Sequence, residues 1–81
     1  MLKKMHELTH GDRGIITKVE GQGRVRRRLF DMGVTPGAPV TFIKKAPLGD
    51  PIEIKIRGYD LTLRKDEAAL ITLELKIGED K

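Results

Sequence analysis

Apolar and polar residues alternate along most of this chain, with one interruption at helical spacing. Ile52, Ile54 and Ile56 recur at every second position against Glu53, Lys55 and Arg57, the period of a strand with one buried face. Leu61 to Arg64 and Ile71 to Leu75 repeat that alternation, while Gly14 to Val19 and Val40 to Lys45 are rich in β-branched residues. These five segments are the predicted strands. The interruption is Arg24 to Met32, where Val25, Leu29 and Met32 stand at i, i+4 and i+7 and line one face of a short helix. Lys65 to Ala69 suits a single helical turn, and Leu2, Met5 and Leu8 suit a loose one laid on the core.

The breaks between these segments have their own chemistry. Gly33 follows the helix where a left-handed cap is wanted, and glycine adopts that conformation without a Cβ clash. Thr35-Pro36-Gly37-Ala38 then has Pro second and Gly third, the pattern of a type II turn. Leu8 to Asp12 precedes the first strand much as Val34 to Ala38 precedes the second, so one kind of turn is expected to serve twice. Ala46 to Pro51 carries two prolines that cannot donate to a ladder, and Gly58-Tyr59-Asp60 is expected to turn the chain. Gly78 to Lys81 is a polar tail, expected to fray. A sheet of five short one-sided strands buries its apolar face best by curling on itself. The expected fold is mainly β: one domain over residues 1–81, a small, partly open antiparallel barrel of SH3-like type with the helix closing one end.

Composition narrows the function. The chain has no cysteine, which removes disulfides and thiolate metal sites together. No apolar run exceeds four residues, so no membrane span is expected, and the basic start lacks the hydrophobic stretch of a signal peptide. A cytoplasmic location is the expectation. Sixteen Lys and Arg face twelve Asp and Glu, and the net charge of +4 equals the contribution of Arg24, Arg26, Arg27 and Arg28. The charge is thus a local basic patch on a balanced body. There is no serine, and no His is paired with a carboxylate in a readable pattern, so no enzyme is expected. Gly21-Gln22-Gly23 lacks the endings of the nucleotide-binding loops. Phe30, Phe42 and Tyr59 are the only aromatic residues, too few for a base-stacking platform, which disfavours the alternative of a nucleic-acid-binding barrel.

Three stretches resemble the FeoA family: Arg27 to Gly37 (RRLFDMGVTPG), Ala46 to Ile52 (APLGDPI) and Leu63 to Ala68 (LRKDEA). The resemblance implies an SH3-like barrel that supports Fe(II) import rather than performing it. The implied partner is FeoB, a membrane protein with a cytosolic G-protein domain. Similar modules form the C-terminal domain of DtxR-type iron-dependent repressors. With no helix-turn-helix ahead of the barrel, a freestanding metal-responsive regulator is the weaker expectation.

The candidate partner-binding residues are Arg24, Arg27 and Arg28 on the helix and Leu48, Gly49 and Asp50 in the proline loop. Positive charge at a helix N-terminus opposes the macrodipole, Arg24 and Arg28 repel at i, i+4, and only Arg27 has a helical partner, in Asp31. Such a cluster either presents charge to an acidic partner or lays long stems over apolar surface with the heads in water. A finger that assists GTP hydrolysis on FeoB is a sharper version, and needs a reach that sequence does not show. Leu48 is expected at a loop tip, as part of a rigid turn or as an apolar docking contact. His6 and His10 stand four apart, one helical face that could hold part of an Fe(II) or Zn(II) site, or two exposed histidines. Self-association is a further expectation left open.

Overall fold

The computed structural model describes residues 1–76; the tail Gly78 to Lys81 lies outside the described residues. Six antiparallel strands form one sheet: β1 Leu2–Lys4, β2 Arg13–Val19, β3 Pro39–Lys45, β4 Ile52–Ile56, β5 Tyr59–Leu63 and β6 Ile71–Leu75. Their order is β1-β6-β2-β3-β4-β5, so β1 and β5 are the two edges. Helix α1 covers Gly23–Asp31 between β2 and β3, and α2 covers Lys65–Ala68 between β5 and β6. Alternation decides what is buried: Ile52, Ile54 and Ile56 face inward with Phe42, Ile71 and Leu73, and Leu29 brings α1 onto the same core.

The sixth strand corrects the expectation for the N-terminus. Leu2–Lys4 is extended and pairs with β6, with Lys3 opposite Leu73, and only Met5–Glu7 makes a 3₁₀ turn. Met5 and Leu8 are fully buried while Leu2 is largely exposed, which suits a strand edge followed by a tight turn. The partner strand lies some seventy positions away in the chain (Leu2 pairs with Glu74), so local spacing carries no trace of it. A second correction concerns the β4–β5 turn. Arg57 and Gly58 alone form it, both with positive φ (50° and 85°), and Tyr59 and Asp60 already belong to β5. Positive φ at both central residues matches the right-handed twist of the flanking strands.

The two turns expected to share their chemistry do so. Asp12 N–H bonds Thr9 C=O at 3.0 Å and Ala38 N–H bonds Thr35 C=O at 3.1 Å, with Gly11 and Gly37 at φ 89° and 94°. Each turn docks reciprocally on the strand after the other: Gly11 N–H donates to Phe42 C=O, and Gly37 N–H to Ile16 C=O. A bulge follows in each strand, between Ile16 and Lys18 and between Phe42 and Lys44, and adds the local twist that bends a sheet toward a barrel. Gly14 makes the β2–β6 crossing possible, because a Cβ there would stand 2.7 Å from the Glu74 carbonyl oxygen.

Candidate functional site

Helix α1 starts without a side-chain cap, and its first turn holds no acidic residue. Tertiary contacts hold it instead. Gly21 has φ 96° and would bring a Cβ to 3.0 Å from Leu70 Cδ1, so glycine both turns the chain and lets the loop lie on Leu70. At the far end Gly33 N–H bonds Phe30 C=O at 2.9 Å and Val34 N–H bonds Leu29 C=O at 3.0 Å, the paired bonds of a Schellman ending. The β4–β5 hairpin closes on this end. Arg57 Nε donates to Gly33 C=O at 3.1 Å and its Nη2 to Thr35 Oγ1 at 2.8 Å, while Tyr59 O–H donates to Met32 C=O. A cation against the last carbonyls of a helix is favourably placed.

The four arginines divide into two kinds. Arg26 lies over the Phe30 ring at 4.5 Å and donates through Nε to Val19 C=O at 3.2 Å. Arg28 Nη1 meets Glu67 Oε2 at 2.5 Å, joining α1 to α2. Arg24 and Arg27 are exposed and form no ion pair among the described residues. The expected Arg27–Asp31 pair is therefore not made, and the pairing goes to Arg28. Glu67 is the one buried charged residue among the described residues; its Oε1 also accepts the Arg64 N–H at 3.0 Å. Val25, expected on the inner face, is left 42% exposed, and Leu29 alone of the helix is fully buried.

The proline loop behaves as a turn with an exposed tip. Gly49 N–H bonds Ala46 C=O at 2.7 Å, Ala46 N–H bonds Pro51 C=O at 2.9 Å, and Leu48 between them is 95% exposed. Asp50 Oδ1 accepts the Lys65 N–H at 2.9 Å and so fixes the loop to the start of α2. One cleft then collects Arg28, Asp50, Pro51, Thr62, Leu63, Arg64 and Glu67. Of the residues expected from sequence, Arg28 and Asp50 share this cleft, Leu48 and Gly49 precede Asp50 in the chain without lining it, and Arg24 stands one helical turn from Arg28. Thr62, Arg64 and Glu67 were not anticipated. Glu67 and Arg64 lie within LRKDEA, but nothing in that stretch distinguishes a buried Glu from its exposed neighbour Asp66.

The two histidines are not a shared face. The 3₁₀ turn ends at Glu7, so the helical spacing that would align them does not exist. His10 Nδ1 lies 2.6 Å from Ile43 C=O and donates to it, whereas His6 Nδ1 is enclosed without a hydrogen-bond partner near Asp50 and Asp66. Among the described residues no three His, Asp or Glu side chains are grouped to hold a metal ion. No described helix is long and apolar enough to cross a membrane.

A twisted antiparallel sheet of this topology, with a short basic helix packed on its core through Leu29, is an SH3-like module. Residues 3–75 match the FeoA domain model, and the chain belongs to the FeoA family. An FeoA from Chlorobium tepidum is 44% identical, with a TM-score of 0.86 over 96% of this chain and 74% of that one. A Porphyromonas gingivalis Fe(2+) transport protein A/Fe(2+) transporter FeoB fusion protein is 40% identical over 72 residues; the match takes in 89% of this chain and 8% of the fusion. Two further likenesses show the fold alone. One is a zinc-complexed Stenotrophomonas maltophilia FeoA described as an SH3 domain protein (23% identical, TM-score 0.76, covering 91% and 89% of the two chains). The other is a manganese-dependent transcriptional repressor (13% identical, TM-score 0.85, covering 93% and 41%), a likeness in fold of the kind expected for repressor domains.

Proposed function

We propose that this chain is a non-enzymatic accessory domain of ferrous iron uptake that docks on the cytosolic part of FeoB. Arg24 and Arg27 supply outward positive charge, Arg28 and Asp50 border the adjoining cleft, and Leu48 with Gly49 offers an apolar tip. The observation that carries the reading is the pair of exposed guanidiniums without carboxylate partners among the described residues, on a domain whose relative is fused to FeoB. Steering by such a patch raises association rates and selects acidic surfaces. Against a nucleic-acid role, Phe42 is buried, Phe30 carries Arg26 on its ring, and Tyr59, whose hydroxyl is bonded to the end of α1, is the one largely accessible aromatic side chain among the described residues, too little for a stacking platform.

The test is calorimetric binding of the FeoB cytosolic domain to this chain and to the double variant Arg24→Glu/Arg27→Glu. Binding is expected to weaken at least about tenfold, with a steep salt dependence in the parent. The variant's melting temperature should stay close to the parent's, because Arg24→Glu suits the first turn of α1 while Arg27→Glu faces Asp31 four residues on. Undiminished binding would remove the arginines from the interface.

A further inference from the structure

The two edges of the sheet are finished differently. β1 is three residues long, two of them lysine, and its Met1 ammonium is tied to Glu74, all features that discourage further pairing. β5 runs for five residues without lysine or proline. Its turn, Arg57–Gly58, closes on the pair Ile56–Tyr59, which in a two-residue hairpin exchanges both hydrogen bonds. Bonded and non-bonded pairs alternate along an antiparallel ladder, so Tyr59, Leu61 and Leu63 face β4, while Asp60 and Thr62 direct N–H and C=O to the free side. Neither residue makes a backbone hydrogen bond elsewhere among the described residues.

The free edge opens into the cleft. Thr62 and Leu63 line it from β5 and Arg64 from the start of α2, together with Arg28 and Glu67. Its carboxylates are already engaged: Glu67 holds Arg28 and the Arg64 N–H, and Asp50 holds the Lys65 N–H. Its guanidiniums are engaged only in part. Arg64 forms no ion pair among the described residues, and Arg28 spends Nη1 on Glu67 while its side chain stays 58% exposed. The surplus is therefore one of donors, beside a backbone edge that offers both donors and acceptors at two-residue spacing.

We propose that β5 receives an extended segment of a partner protein as a seventh strand, with an Asp or Glu side chain of that segment held between Arg28 and Arg64. Backbone bonds at Asp60 and Thr62 supply the register, and the guanidiniums select an acidic segment over a neutral one. The proposal rests on the docking reading above only for which protein supplies the segment.

The probe is the peptide acetyl-Thr-Val-Thr-Val-Glu-Val-Thr-amide, titrated to the order of 1 mM into the ¹⁵N-labelled chain, with its Gln counterpart as control. Amide shifts and slowed exchange centred on Asp60 and Thr62 are expected, and the Gln peptide should bind about fivefold or more weakly. Arg64→Ala should weaken binding similarly. Thr62→Pro should remove it while leaving the fold, since proline is tolerated where an edge N–H faces solvent. No shift, shifts elsewhere, or equal binding of both peptides would overturn the proposal. So would concentration-dependent protection of β5 without peptide, which would assign the edge to a second copy of the chain. Should FeoB bind with β5 unprotected, this inference fails and the docking reading stands; peptide binding without FeoB binding gives the converse.

Discussion

Arg26 and Arg28 differ from Arg24 and Arg27 in what they touch, although all four lie within five residues of one helix. The inner pair spend their guanidiniums on an aromatic ring, a strand carbonyl and a buried carboxylate. The outer pair meet solvent. A run of like charges that reads as one patch in sequence is thus two devices, one tying α1 to the barrel and one presenting charge beyond it. Helix phase alone does not divide them: at about 100° per residue Arg24, Arg27 and Arg28 share one side and Arg26 lies opposite, so the elements beside α1, with Val19, Phe30 and Glu67, decide which guanidinium finds a partner. The unpaired outward charge therefore comes from Arg24 and Arg27, while Arg28 shares Nη1 with Glu67 and keeps the rest of its side chain open to the cleft.

The division predicts a descending series of stability changes, measured by urea unfolding. Glu67→Ala should cost most, about 2–4 kcal/mol, because it empties a buried site and strands both the Arg64 N–H and Arg28. Arg28→Met keeps the apolar stem but leaves the Glu67 carboxylate with one donor fewer. A loss of about 1–2 kcal/mol is expected, less than for a fully buried pair because the Arg28 side chain is half open to water. A double-mutant cycle between the two should return a coupling energy of about 1 kcal/mol; additivity would mean that the pair contributes nothing. Arg26→Ala should cost about 1 kcal/mol through the lost ring contact and the unpaired Val19 carbonyl. Arg24→Ala and Arg27→Ala should stay within about 0.5 kcal/mol of the parent. If either matches Arg28→Met in cost, the two-device reading is lost.

Much of the scaffold was legible because its determinants are local. The isoleucines at 52, 54 and 56, the Gly33 cap and the paired turns at Gly11 and Gly37 each act within a few residues, and each appears as read. β1 was missed because its pairing partner, β6, is at the other end of the chain. The Arg57–Gly58 turn was misplaced by a residue because Arg57, a non-glycine, takes positive φ. Such a conformation is uncommon outside Gly, Asn and Asp, and it is held here by the side chain's bonds to Gly33 and Thr35. The cleft was only half legible: Arg28 and Asp50 were candidates, while Thr62, Arg64 and Glu67 join them through chain packing between elements that sequence spacing does not relate.

The smallest predicted effect tests whether the loop leading into α1 is tied down electrostatically as its end is tied by Arg57. Glu20 Oε2 meets Lys4 Nζ at 2.8 Å, linking that loop to β1. The hydrogen bond from Lys4 lowers the Glu20 pKa, helped by the charges of Lys4 and Lys18 and opposed slightly by desolvation. A carboxyl depressed on folding stabilises the native state above its unfolded pKa, about 4.3, and that contribution disappears as pH falls through the lower folded value. Thermal melts of the parent and Glu20→Gln should therefore differ at pH 6, with the parent higher, and converge as acid protonates Glu20. The gap should also narrow with added salt, because both groups are solvent-accessible. A difference that stays constant from pH 6 into the acid range would show that Glu20 acts through its shape or its neutral hydrogen bonds, leaving the start of α1 without an electrostatic anchor.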